Sequence, residues 1–176
     1  MQDLRDMGYF FKTDVSEYDL LWHCCNQFVF PEKRFQFLAN WDPEALLKVN
    51  RFGETPIFVS TKMPVEGFRS VLGTLLRYFP EKKGIHSLFQ KIKSKDNITP
   101  FTNACTRWGP AEVMAILETT LVEHDRNADD RSRHLRNSAA AFLSAAENDD
   151  ISLDCVYFEL RRRPHILETS RSEEHT

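Results

Sequence analysis

Apolar residues recur at three- and four-residue spacings through most of the chain, and Pro, Gly and Asn interrupt them. That pattern describes short amphipathic helices separated by turns. Phe35 and Leu38 share a face of a helix predicted from Glu32 to Asn40, preceded across Pro31 by a shorter one from Leu20 to about Phe28. Pro56 to Ser60 leads through Lys62-Met63-Pro64 into a helix from Val65 to Phe79, whose Phe68, Val71, Leu72, Leu75 and Leu76 form one stripe. Pro100 to Thr106 turns at Trp108-Gly109-Pro110 and continues from Ala111 to about Glu123, with Val113, Met114, Ile116, Leu117 and Leu121 apolar. A fourth pair is predicted over Ala139 to Glu147 and Ser152 to Arg162. Pro43, Pro80 and Pro164 stand where the second helix of a pair must stop.

The pairs open on a common frame. Asn50-Arg51-Phe52-Gly53-Glu54-Thr55-Pro56-Ile57 and Ser94-Lys95-Asp96-Asn97-Ile98-Thr99-Pro100-Phe101 each place a residue tolerant of positive φ two positions before Thr-Pro. Gly53 and Asn97 can enter a left-handed turn, Thr55 and Thr99 can cap a helix, and Pro56 and Pro100 suit its first position. Asp14 to Leu21 is a weaker copy, with Asp19 as the cap and Glu17 in the turn position.

This frame resembles that of ankyrin repeats, in which Thr-Pro-Leu-His-x-Ala opens the inner helix. Four segments fill that box: Asp19 to Cys24, Thr55 to Ser60, Thr99 to Ala104 and Ala140 to Ala145. Their starts step by 36, 44 and 41 residues, whereas a regular ankyrin repeat steps by about 33. Trp22, Phe58, Thr102 and Leu143 stand where the family has His. The extra length falls in insertions at Glu81 to Gln90 and Glu123 to Arg136. The resemblance spans about residues 14–168, leaves 1–13 as a remnant or cap, and leaves 169–176 as a disordered tail. It implies an all-α, ankyrin-like helical repeat solenoid of about four helix pairs.

Composition narrows the function classes. The 176 residues carry 23 basic and 26 acidic side chains, which disfavours a generally basic nucleic-acid binder. Hydrophobic residues make up 41% and charged residues 28%, ordinary globular usage. No apolar run approaches the roughly 18 residues needed to span a bilayer, and the start, Met1-Gln2-Asp3-Leu4-Arg5-Asp6, lacks the basic and apolar regions of a secretory signal. An intracellular, cytoplasmic protein is expected, with the nucleus left open. Neither a Rossmann nor a Walker pattern is present, so no cofactor is implied.

Trp22-His23-Cys24-Cys25 raises a second possibility, a helical metal-binding or regulatory protein. Consecutive helical residues point in different directions, and no second Cys or His pair follows at ligand spacing, so packing is the better account of these thiols. A Cys-His nucleophile would need His86, His124 or His134 as base, and all three fall in the insertions. Arg161-Arg162-Arg163 suits the last turn of a helix, where cations complement the dipole. The charge run from Glu123 to Arg136 reads as a solvated loop.

The resemblance implies a non-enzymatic protein-protein interaction module acting as a monomer, since ankyrin arrays bind proteins along the face formed by fingers and inner helices. The turn before each Thr-Pro would be a finger, which makes Arg51, Phe52, Lys95 and Asp96 the candidate partner-binding residues. Phe52 stands out because an apolar ring at a finger tip has little core to enter.

Overall fold

The computed structural model describes residues 2–80, 82–92 and 98–126. The predicted fourth helix pair, the Arg161-Arg162-Arg163 run, the tail, and the finger residues Lys95 and Asp96 lie outside the described residues.

The described residues are mostly helical and contain no β-strand beyond one isolated bridge between Ile92 and Ile98. Two short helices, α1 (Gln2–Asp6) and α2 (Lys12–Glu17), precede the first pair, α3 (Leu20–Cys25) and α4 (Glu32–Trp41). A 3-10 turn over Pro43–Leu46 leads to the second pair, α5 (Pro56–Ser60) and α6 (Val65–Tyr78). Then come α7 (Lys82–Phe89) and the third pair, α8 (Pro100–Trp108) and α9 (Pro110–Arg126).

Proline sets most of these boundaries. Asp42 and Phe79, each just ahead of a proline, leave the helical region at φ −135° and −128°, because the proline ring disfavours α backbone in the residue before it. Gly109, at φ 86°, makes the turn between α8 and α9 that a side chain would strain.

Helices pack by rank. The first helices of the pairs follow one another, α3 on α5 and α5 on α8, and the second helices do the same, α4 on α6 and α6 on α9. The predicted stripes face this interior: Phe35, Leu38, Phe68, Leu72, Leu75, Leu76, Val113 and Leu117 are all buried. Burial of such a face supplies most of the stability of helices this short, which are marginal alone.

A polar ladder joins α4 to α6. Ser70 Oγ donates to Glu32 Oε1 at 3.3 Å, Gln36 Nε2 donates to Thr74 Oγ1 at 2.9 Å, and the Tyr78 hydroxyl donates to Asn40 Oδ1. The partners of every rung are 38 residues apart. Both sets of numbers rise together in steps of four, so the two helices run parallel in fixed register, with rungs about 6 Å apart.

Several expectations are corrected. Within the insertion expected at Glu81 to Gln90, residues 82–89 form a packed helix: α7 buries Ile85, Leu88 and Phe89, and the Phe89 ring lies 4.9 Å from that of Phe101 on α8. Gly84 lets α7 approach closely, since a Cβ there would sit 2.2 Å from the Phe79 carbonyl oxygen. The first pair has no finger of the Asn50 type. Helix α2 fills the place, and the left-handed residue is Asp19 (φ 50°) instead of Glu17. Helix α3 stops at Cys25, short of Phe28, which is 97% exposed.

Of the two predicted threonine caps, one forms. Thr99 Oγ1 accepts from Thr102 N at 3.0 Å while Thr102 Oγ1 accepts from Thr99 N at 3.0 Å, a reciprocal capping box. Thr55 holds the cap position of α5, but its buried hydroxyl makes no hydrogen bond among the described residues.

The amino-terminal helices are tied to the end of α4. The Arg5 guanidinium lies 4.7 Å from the Trp41 ring centroid, Phe10 stacks on Phe37 at 6.5 Å, and Asp42 takes Ser16 Oγ at 3.0 Å and Lys12 Nζ at 3.6 Å.

Candidate functional site

The finger between the first and second pairs is a closed turn built around one side chain. Asn50 Oδ1 accepts from the backbone N–H of Phe52 at 2.9 Å and of Glu54 at 3.0 Å. Backbone bonds from Asn50 N to the Glu54 carbonyl at 3.0 Å and from Gly53 N to the Asn50 carbonyl at 2.9 Å close the loop. Gly53 takes φ 74°, the left-handed geometry expected of it. Asn suits such a turn because its short amide reaches its own backbone two residues on. These bonds occupy the Asn50 oxygen completely and fix which way the amide faces. Its Nδ2, buried, has no acceptor among the described residues.

Glu54 anchors the turn from below. It is 3% exposed, pairs with Lys62 Nζ at 3.0 Å, and accepts from Trp22 Nε1 at 3.3 Å. One carboxylate thus links the finger, α3 and the end of α5. A buried carboxylate is tolerated when paired and hydrogen-bonded in this way. Nothing in the repeat frame singles out Glu54 for that part; an acid directly before a Thr-Pro cap is the only signal the sequence carries.

Arg51 and Phe52 occupy the tip. Both are exposed, Phe52 at 47%. The Arg51 guanidinium lies 4.8 Å from the Phe52 ring centroid, and that ring leans on Trp22 at 6.3 Å and 37°. The ring therefore rests on Trp22 of α3 with half its surface outward.

Beside the finger lies a cleft of about 210 Å³. Asn50, Arg51 and Phe52 line one part of it and Trp22 and His23 of α3 another. Glu17, Tyr18 and Asp19, where α2 gives way to α3, complete it. Tyr18 is 64% exposed and Asp19 holds its left-handed conformation there. Small-molecule and cofactor pockets run to about 300–1,000 Å³. This cleft is smaller, the size of one side chain and its backbone.

The structure separates the cluster behind the metal-binding possibility. His23 is exposed, whereas Cys24 and Cys25 are buried. Burial pushes the Cys25 thiol well above its ordinary value, reinforced by the neighbouring Cys24, and raises Cys24 as well against a smaller opposing pull from Arg34. A thiol held protonated is a poor ligand and a poor nucleophile. Among the described residues no three His, Cys, Asp or Glu side chains gather as a metal site would require. His86 is half buried on α7, far in sequence from either thiol.

Of the four finger residues expected to bind a partner, Arg51 and Phe52 come together at one tip; Lys95 and Asp96 lie outside the described residues. No described helix is long and apolar enough to cross a membrane. No family model, curated protein or solved structure matches the chain.

Proposed function

We propose that the chain is a non-enzymatic protein-protein interaction module, a divergent ankyrin-like solenoid that meets its partner at the finger. Three features support the repeat architecture. First helices pack on first helices and second on second, the α4–α6 ladder holds one offset over three rungs, and a Gly53 turn precedes Thr55-Pro56 as it would in an ankyrin finger. Stacked units of this kind bury stripes that no single pair could bury alone.

The observation that carries the binding role is the tip itself. Arg51 and Phe52 are exposed on a turn whose conformation is fixed by four hydrogen bonds to Asn50 or its backbone. An aromatic beside an arginine, already ordered, is the pairing enriched at energetic centres of interfaces, and prior ordering reduces the entropy lost on binding.

A photo-crosslinking amino acid placed at position 51 tests this. It should capture the same cellular protein that the unmodified chain recovers, while the crosslinker at exposed Glu112, at the start of α9, should not. Equal capture from both positions would remove the finger from the interface.

A further inference from the structure

We infer that the cleft beside the finger receives an extended peptide segment of a partner protein in which an apolar side chain lies between one acidic and one basic residue. This rests on the interaction reading and names the chemistry of the occupant.

Oppositely charged side chains share one cleft without pairing. Arg51 lines it from the finger, and Glu17 and Asp19 line it from the α2–α3 junction. None of the ion pairs among the described residues uses any of the three. A cation and two anions that line the same small cleft without a salt bridge between them leave a dipolar field across it. The ligand that completes that field carries the opposite dipole, an anion toward Arg51 and a cation toward Glu17 and Asp19.

Asn50 is the second, independent observation. It lines the cleft and is nearly completely buried, its oxygen is spent on the finger backbone, and its Nδ2 has no acceptor among the described residues. The turn that Asn50 locks holds Arg51 and Phe52 at the edge of the cleft, so the charge and the ring are ordered before any ligand arrives. Between the charged ends, Trp22 and Phe52 present a ring pair 6.3 Å apart, a surface for an apolar side chain. The 210 Å³ of the cleft suits one such side chain.

The test uses the full chain, labelled with 15N, and three blocked pentapeptides with a central leucine. One is flanked by glutamate on one side and lysine on the other, one by glutamate on both sides, and one by lysine on both. The Trp22 indole and Gly53 amide signals report binding. The mixed peptide should bind about fivefold more tightly than either of the others, the scale of one exposed charge contact exchanged for a repulsion. Arg51→Glu should move the preference to the doubly basic peptide, and Glu17→Lys should weaken the mixed peptide while Asp19 still holds part of its basic end; positions 51 and 17 are exposed, so the fold should survive. Equal binding of all three, no shift with any of them, or a preference that Arg51→Glu leaves unchanged would overturn the inference. If capture at position 51 succeeds while the peptides fail in one of these ways, the finger remains the interface and only the mixed-charge occupant falls.

Discussion

Gln36 Nε2 donates to the hydroxyl of Thr74 at 2.9 Å, joining two parallel helices across 38 residues of chain. Thr74 is fully buried and passes its own proton to the Ser70 carbonyl at 2.8 Å, so Gln36 is the donor its oxygen requires. This middle rung sets the register of the second pair on the first. A rung of this kind contributes about 0.5–1.5 kcal/mol net. A double-mutant cycle on Gln36→Ala and Thr74→Val, read by chemical denaturation, should give a coupling within that range. A coupling near zero would mean that apolar packing alone fixes the register.

The two threonine caps should behave differently although their sequence frames match. Thr99→Ala removes a reciprocal capping box and should cost about 0.5–2 kcal/mol. Thr55→Ala removes a buried hydroxyl with no hydrogen-bond partner among the described residues, and should cost less than Thr99→Ala. Denaturant midpoints of the two variants, measured side by side, check the order; the reverse order would contradict the geometry of both sites.

How legible each feature was in the sequence follows from how local its cause is. Pro43, Pro64, Pro80 and Pro110 act on their own neighbours, so the helix boundaries near them could be read directly, and Gly53 announced its turn in the same way. Helix α7 was hidden by its flanks: Glu81, Lys82 and Lys83 suggest a solvated loop, while Ile85, Leu88 and Phe89 carry a stripe only two turns long. The ladder escaped because Glu32, Gln36 and Asn40 look like any exposed polar face until α6 is laid beside them. Trp22 and Phe52 meet only through the stacking of α3 against the finger, 30 residues apart in the chain. Only its place directly before Thr55-Pro56 marks Glu54, and that does not show it as the carboxylate beneath them.

The buried thiols predict an alkaline limit to stability. Because burial raises the Cys25 thiol above its ordinary value of 9.0, the folded state holds a proton that the unfolded state releases. The corresponding stability is therefore complete below about pH 9 and is lost as pH rises through the higher folded value. Unfolding free energy measured from pH 7 to pH 10.5 should fall more steeply above pH 9 in the parent chain than in Cys25→Ala, once each is referred to its own value at pH 7. Parallel curves would show that Cys25 does not titrate differently in the two states.

The central claim is that the finger tip binds while the rest of the chain folds, and Arg51→Ala combined with Phe52→Ala tests it most directly. Thermal midpoint and recovery of the cellular partner are measured on the same preparation. Phe52 rests on Trp22 with only half its surface, so the midpoint should drop by no more than about 4 °C. Loss of an aromatic and an arginine from an interface centre should reduce partner recovery about tenfold or more. Undiminished recovery, or a fall in midpoint beyond about 10 °C, on the order of several kcal/mol, would contradict the account and make Phe52 a packing residue against α3.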